Sequence, residues 1–218
     1  MSAMMVCHAP REPSICCMNY KIYYINGIFN PEKEKVEKEV IPLIETICST
    51  VTKNIEVELF HNNTTPNLTD LVSQVLSGKL DEVKESLAGA IAYEISTYLN
   101  TVSNPIIIIG HSQGASVMDK VLGCLPHLDR VYAISIGGVH SIQSSGEVKI
   151  CEFLHRMDWP ARIVRNLYHK DKNRKSYFQI DSKCTDMTCH NLDTYLKSGD
   201  VQRIIQHALK AMIESDLS

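Results

Sequence analysis

The sequence predicts an α/β protein, built on a mostly parallel, doubly wound sheet with helices on both faces. Two observations lead to this fold class. Short β-branched runs alternate along the chain with longer segments whose apolar residues recur at helical spacing. The 218 residues also suit one such domain, whereas two independent cores would each be small. We therefore expect a single domain at 18–218 and a disordered leader at 1–17, which has no clear periodicity.

Six segments are predicted as strands because they are short and rich in β-branched or aromatic residues. They lie at 21–25, 55–60, 105–109, 130–136, 148–155 and 176–180. The second segment alternates between apolar and polar residues, which is typical of a half-exposed strand. The third contains four consecutive isoleucines, which indicate a buried strand.

Helices are predicted where apolar residues return at helical spacing. They lie at 32–47, 71–76, 80–99, 115–122 and 201–213. Pro31 precedes the first helix, as is common at a helix start, and Gly78 separates the second from the third. The Asn/Thr/Pro-rich stretch 61–70 is expected to be a loop. Because strands and helices alternate, functional groups are expected at the carboxyl ends of the strands.

Ser112 is the strongest candidate for a functional residue. It stands at the centre of a G-x-S-x-G motif, flanked by Gly110 and Gly114, between the isoleucine-rich strand and the next helix. A side chain at either glycine would collide with the neighbouring helix or strand, so the spacing has a steric reason. This context predicts a nucleophile. The alternative is that Ser112 only caps the helix that follows.

A serine nucleophile needs a histidine base, which an acid in turn orients. In hydrolases of this topology the order along the chain is serine, acid, histidine. Asp158 follows the fifth predicted strand and is the preferred acid, with Asp171 and Asp181 as rivals. The alternative is that Asp158 only caps a helix or turn before Pro160.

His190 is the preferred base because it follows the last predicted strand and precedes the closing helix. The alternative base is His169, which lies just before a charged turn. The reaction also needs donors for the oxyanion that forms on the attacked carbonyl. The backbone amides of Gln113 and Ile28 are predicted to form this oxyanion hole, with Gly27 allowing the close approach of the second loop.

The composition argues against several other classes of protein. The net charge is −3 and no basic run contains interleaved aromatic residues, so nucleic acid is not an expected partner. No apolar run is long enough to cross a membrane and no secretory signal is recognised, so we expect a cytoplasmic protein with its eight cysteines reduced. Cys184 and Cys189 lie near His190, but no second pair completes a metal site, and no metal ion is expected.

The segment from Gly110 to Met118 resembles the nucleophile elbow of cutinases and acyl-protein thioesterases, which also favour glutamine after the serine. Through it, the chain is similar to the α/β-hydrolase superfamily. The resemblance implies an α/β-hydrolase fold and a Ser112, Asp158, His190 triad. It also implies cleavage of a carboxylic ester or thioester, on a small molecule or a protein, through an acyl-enzyme and without any cofactor.

Some features depart from that pattern. Cutinases are secreted and disulfide-linked, and many relatives carry an aliphatic residue where Trp159 follows the acid. The short connection between Ile136 and Val148 leaves no room for a large lid, so an open site is expected unless the loop at 61–70 or the segment 139–147 covers it. Two other functions remain possible at this point: an acyltransferase on the same scaffold, or a catalytically silent α/β-hydrolase fold used as a binding module.

Overall fold

A computed structural model of the chain describes residues 19–27, 32–62, 79–139, 141–143, 147–168, 178–180 and 187–216. Its strands are β1 (Tyr20–Ile25), β2 (Ile55–Phe60), β3 (Ile106–His111), β4 (Val131–Ile136), β5 (Lys149–His155) and β6 (Phe178–Ile180). Its helices are α1 (Lys33–Ser49), α2 (Lys79–Thr101), α3 (Gln113–Leu122), α4 (Trp159–Tyr168), α5 (Leu192–Leu196) and α6 (Gly199–Asp216). Short 3-10 turns at Leu128–Arg130 and Met187–His190 precede β4 and α5.

The strands form one six-stranded sheet in the order β2-β1-β3-β4-β5-β6, and each neighbouring pair is parallel. The prediction of an α/β protein with a parallel sheet is therefore confirmed. From β1 the chain moves outward to β2, then crosses back so that β3 lies on the other side of β1. In open α/β sheets this reversal of strand order is the place where ligand crevices form, beyond the carboxyl ends of the strands.

The sheet separates two apolar layers, as the alternation along β1 shows. Ile22 and Tyr24 pack in one cluster with residues of α1 and α6, whereas Tyr23 and Ile25 pack in the other with residues of α2 and α3. Strands β3 and β4 are buried along their whole length because both of their faces are covered. The predicted placement of helices on both faces is thus confirmed. The two layers hold the carboxyl ends of β1 and β3 side by side.

The segment after β5 differs from the sequence prediction, which places no helix there. Helix α4 begins at Trp159 and contains Pro160 in its first turn. Proline is tolerated at that place, since its missing N–H would have no partner within the helix. Asp158 precedes the helix, and its Oδ1 accepts the N–H of Ala161 at 2.9 Å. The proline therefore marks a helix start and not a loop.

Several predicted features lie outside the described residues. They are the leader at 1–17, the helix at 71–76 with the break at Gly78, and most of the loop at 61–70. The closing helix is confirmed and extends beyond its predicted ends, to Gly199–Asp216. None of the helices in the described ranges is both long and apolar enough to cross a membrane.

Candidate active site

Ser112 lies at a sharp turn between β3 and α3. The strand ends at His111 and the helix begins at Gln113, and Ser112 between them has φ 55° and ψ −121°. A positive φ is uncommon for a residue with a Cβ. The Ser112 side chain makes no capping hydrogen bond to α3, so the alternative of a simple helix cap gains no support. Its Oγ instead lies 2.8 Å from Nε2 of His190.

The two motif glycines permit this turn, for the steric reason that the sequence predicts. A Cβ at Gly110 would lie 2.7 Å from Cα of Ala115 in α3. A Cβ at Gly114 would lie 2.2 Å from the carbonyl oxygen of Ile25, the last residue of β1. Real Cβ atoms essentially never approach backbone atoms this closely. The predicted collisions with the helix and the strand are therefore confirmed.

The predicted acid and base lie next to Ser112 in the fold. Nδ1 of His190 is 2.9 Å from Oδ1 and 2.8 Å from Oδ2 of Asp158. Because a carboxylate only accepts hydrogen bonds, Nδ1 carries the proton and donates it. Nε2 of the neutral ring is then free to accept the hydroxyl proton of Ser112. The three residues form one continuous series of hydrogen bonds.

Asp158 is fully buried, and its charge is nevertheless stabilised. Burial by itself raises the pKa of Asp158, but the hydrogen bond and charge of His190 and the hydrogen bonds from Tyr195 and Ala161 outweigh it. The net effect is a pKa below the ordinary value for aspartate. Asp158 is therefore ionised at neutral pH, as an acid that orients a base has to be.

Tyr195, in α5, supplies a contact to Asp158 that the sequence analysis misses. Its hydroxyl donates to Oδ2 of Asp158 and accepts the N–H of His155, the latter at 2.9 Å. Burial raises the pKa of Tyr195 far above its ordinary value, so the hydroxyl keeps its proton. Gly137, at φ 56°, makes room for this contact: a Cβ there would lie 3.1 Å from Oδ2 of Asp158. A glycine pair directly after β4 is the signal that could have revealed it.

A second contact set links the loops after β1 and β2 to the elbow. Oδ1 of Asn26 accepts the N–H of Asn62 at 2.5 Å, and Nδ2 of Asn62 donates to Oε1 of Gln113 at 2.9 Å. All three side chains are buried. From the sequence, the loop after β1 is expected to supply an oxyanion donor, but no contact of the Asn26 side chain is predicted. An asparagine directly or nearly after each of two neighbouring strands is the pattern that could have indicated the network.

Of the two predicted oxyanion donors, Gln113 lies within the described residues and Ile28 does not. Gln113 is the first residue of α3, and backbone N–H groups at a helix N-terminus point outward along the axis toward an approaching anion. Ile28 lies outside the described residues, so its role stays a prediction. Its neighbour Gly27 lies directly against Ser112, because a Cβ at Gly27 would lie 2.7 Å from Cβ of Ser112. The loop after β1 therefore packs directly against Ser112.

The remaining candidates from the sequence are the two rival acids, the rival base and the two cysteines near His190. The rival acids Asp171 and Asp181, the rival base His169 and Cys184 lie outside the described residues. Cys189 is buried and forms no disulfide with another described residue. The described ranges hold no group of three or more His, Cys, Asp or Glu side chains that could bind a metal ion.

A cavity of about 420 Å³ lies beside His190. Its lining includes Tyr24 from β1, Val40 and Leu43 from α1, and the ring of His111. The side chains of Lys35 and Glu39 add charge to the α1 wall. His190 thus borders a space whose lining mixes apolar residues of β1 and α1 with charged residues of α1.

Neither the models of known protein families nor the curated proteins give a match to this chain. The geometry of the site indicates the chemistry that it can perform. A hydroxyl that contacts the unprotonated nitrogen of an imidazole, itself oriented by a buried carboxylate, is the arrangement that activates serine for attack on a carbonyl.

Proposed function

We propose that the chain is a serine hydrolase of the α/β-hydrolase superfamily, which cleaves a carboxylic ester or thioester through an acyl-enzyme. The observation that carries the proposal is the series of hydrogen bonds from Ser112 through His190 to Asp158. The strained turn between β3 and α3 supports it, as does the order serine, acid, histidine along the chain. The position at the reversal of strand order, where such sheets bind ligands, supports it too.

In the proposed reaction Oγ of Ser112 attacks the acyl carbonyl while Nε2 of His190 takes the hydroxyl proton. The bond that breaks joins the carbonyl carbon to the leaving oxygen or sulfur, and His190 returns the proton to that leaving group. Water then attacks the acyl-enzyme with His190 again as base, which releases the acid and restores Ser112. The chemistry is complete without a metal ion or an organic cofactor.

Asp158 and the backbone amides act on the charges that form during these steps. The carboxylate keeps the proton of His190 on Nδ1 and stabilises the imidazolium. The developing oxyanion is held by the amide of Gln113 and, as the sequence predicts, by that of Ile28. The Asn26 and Asn62 side chains support this half of the site, because they link the loop after β1 to Gln113.

Hydrolysis is proposed over acyl transfer because the side chain of His190 is partly exposed, at 14%, so water has access to the imidazole ring. A catalytically silent binding module would have no use for a serine hydroxyl aligned at 2.8 Å on that nitrogen. The geometry therefore favours the hydrolase over both alternatives.

The decisive test is labelling with a fluorophosphonate, which bonds only to an activated serine, followed by the mass of the intact protein. The wild-type chain should gain one adduct. Ser112→Ala should gain none, and His190→Ala should react at least about a thousandfold more slowly, because the base is lost. Matched controls at exposed positions, Ser49→Ala and His207→Ala, should label like the wild type.

Other outcomes redirect the proposal. A folded wild-type chain that gains no adduct would favour the silent binding module. Labelling that survives His190→Ala would move the base to His169. A positive result leads to a panel of esters and thioesters with varied acyl chains, which tests whether the 420 Å³ cavity next to His190 accepts the acyl group.

A further inference from the structure

His111, the residue just before the nucleophile, touches the base and not the nucleophile's hydroxyl. Its ring is 5% exposed at the end of β3. Its Nε2 lies 2.9 Å from the backbone carbonyl oxygen of His190, and the two imidazole rings are 5.3 Å apart between centroids, tilted by 35°. The strand that presents Ser112 thus also contacts the backbone and the ring of His190.

The partner of Nε2 fixes the state of the His111 ring. A carbonyl oxygen only accepts, so Nε2 carries the hydrogen and donates it. Burial, together with repulsion from the neighbouring His190, lowers the pKa of His111 to about 4. The ring of His111 is therefore neutral at neutral pH. A permanent cation at this place would oppose the imidazolium that forms on His190.

The place of His190 in the fold explains why such a contact matters. His190 ends a short 3-10 turn, and its side chain is partly exposed. Asp158, which itself accepts a hydrogen bond from Tyr195, holds the Nδ1 side of the ring. The Nε2 side has to point at Ser112, and a displacement of about 1 Å in such a site can reduce the rate about a hundredfold.

We propose that His111 is a positioning residue for the base: its Nε2–H holds the backbone of His190 to the nucleophile strand and sets the direction of the His190 ring toward Ser112. The inference rests on the proposed serine hydrolase. It assigns a function to the residue between Gly110 and Ser112 that the G-x-S-x-G motif leaves unspecified. The hydrogen bond, and not the volume of the ring, is the feature that performs this role.

Three variants separate the hydrogen bond from the volume. His111→Phe keeps a planar ring of similar size but has no donor. His111→Gln keeps an amide N–H that can reach the same carbonyl, while His111→Asn is polar but one carbon shorter and does not reach. The matched control is His207→Phe, at an exposed position on α6. Labelling by a fluorophosphonate is followed over time at several probe concentrations, which separates the rate of bond formation from the affinity for the probe.

We expect His111→Phe to lower the rate constant of bond formation about 10- to 100-fold with little change in probe affinity. His111→Gln should recover to within a few fold of the wild type, and His207→Phe should equal it. Equal rate constants for His111→Phe and the wild type would overturn the inference, and so would a Gln variant as slow as the Phe variant.

Thermal unfolding of each variant separates positioning from stability. A residue with a structural role alone would lower the unfolding temperature and the amount of labelled protein, but the folded fraction would react at the wild-type rate. If His111→Phe does not fold, the comparison of Gln with Asn carries the test, with Gln expected to be faster. A wild-type chain without any adduct refutes the serine hydrolase and this role together, whereas a labelled wild type with equally fast variants refutes only the role of His111.

Discussion

Around Ser112 the chain is packed backbone against backbone, whereas around Asp158 and His190 it is held by side-chain hydrogen bonds. Gly110 and Gly114 let the elbow lie against α3 and β1 with no space for a Cβ. Asp158, by contrast, is surrounded by donors from His190, Tyr195 and the α4 amide. Steric contacts do not respond to pH and tolerate no added atom. Hydrogen bonds tolerate changes of volume better but depend on the protonation of each partner.

The largest effect is expected where the steric region is disturbed. Gly114→Ala places a Cβ 2.2 Å from the carbonyl oxygen of Ile25, which belongs to the backbone of β1 and cannot rotate away. We expect the free energy of unfolding to fall by about 3–5 kcal/mol. Urea denaturation measures this loss, and the surviving folded fraction should also label slowly because Ser112 is displaced.

The matched control is Gly89→Ala in α2, where a Cβ would have no atom within 4 Å. Alanine favours helix over glycine by about 0.5–1 kcal/mol, so this variant should be as stable as the wild type or slightly more so. If both glycine variants lost the same free energy of unfolding, the contact with β1 would not be the reason that Gly114 has to be a glycine.

The next largest effect concerns His111, which contacts both regions. Its titration makes the free energy of unfolding depend on pH. Its pKa is lowered to about 4 in the folded chain, so between about 6.5 and 4 the unfolded chain binds the proton more readily. Stability is therefore full above about pH 6.5, falls as the pH decreases toward 4, and changes no further below that value through this group. The loss amounts to about 3 kcal/mol.

His111→Gln has no group that titrates in this range, so its stability should fall less than that of the wild type between pH 6.5 and 4. Urea denaturation at intervals across that range provides the measurement, with His207→Gln as the control that keeps the wild-type slope. Parallel curves for His111→Gln and the wild type would mean that His111 is protonated as easily in the folded chain as in the unfolded one. The depressed pKa of Asp158 acts at lower pH, where its stabilising charge is lost.

The smallest effect is expected from a substitution that removes one hydrogen bond around Asp158 and changes the shape of the side chain least. Tyr195→Phe removes the hydroxyl that donates to Oδ2 of Asp158, so the free energy of unfolding should fall by about 1–2 kcal/mol. The pKa of Asp158 should rise toward its ordinary value, because one stabilising donor is lost. Labelling should slow only moderately, since His190 still contacts the carboxylate.

Tyr93→Phe is the control, since Tyr93 is 77% exposed and its hydroxyl should contribute nothing measurable to either property. Urea denaturation at neutral pH measures the free energy of unfolding. The same measurement repeated toward acid pH reports the pKa of Asp158. A Tyr195→Phe variant as stable as the Tyr93→Phe variant would mean that the carboxylate is held by His190 and the α4 amide alone.

The difference between the backbone packing around Ser112 and the side-chain hydrogen bonds around Asp158 and His190 explains how much of the site could be predicted. The elbow follows from local rules: a buried β-branched strand, two glycines at fixed spacing and a helix, all within one short segment. Asp158 and His190 could be found only through their order along the chain, because the contacts that join them span 32 residues. Pro160 allows either a helix or a turn after Asp158, and the structure shows that it lies in the first turn of α4, which Asp158 caps.

The supporting polar groups could not be predicted, since nothing in a local pattern says which distant partner a tyrosine or an asparagine will meet. Tyr195 contacts Asp158 across 37 residues, and Asn62 contacts Gln113 across 51. Each becomes necessary only once the sheet order brings the loops together at the carboxyl ends of the strands. The central strands β3 and β4 were predictable, because burial on both faces favours continuous runs of apolar and β-branched residues.

The backbone of Ser112 has a consequence for how this sequence can change over evolutionary time. Its positive φ costs a residue with a Cβ about 1–3 kcal/mol, a penalty that glycine would avoid. If the hydroxyl had no use, a substitution of Ser112 by glycine would therefore be tolerated and would make the fold more stable. A serine kept in this conformation is what selection for reactivity, and not for stability, would preserve.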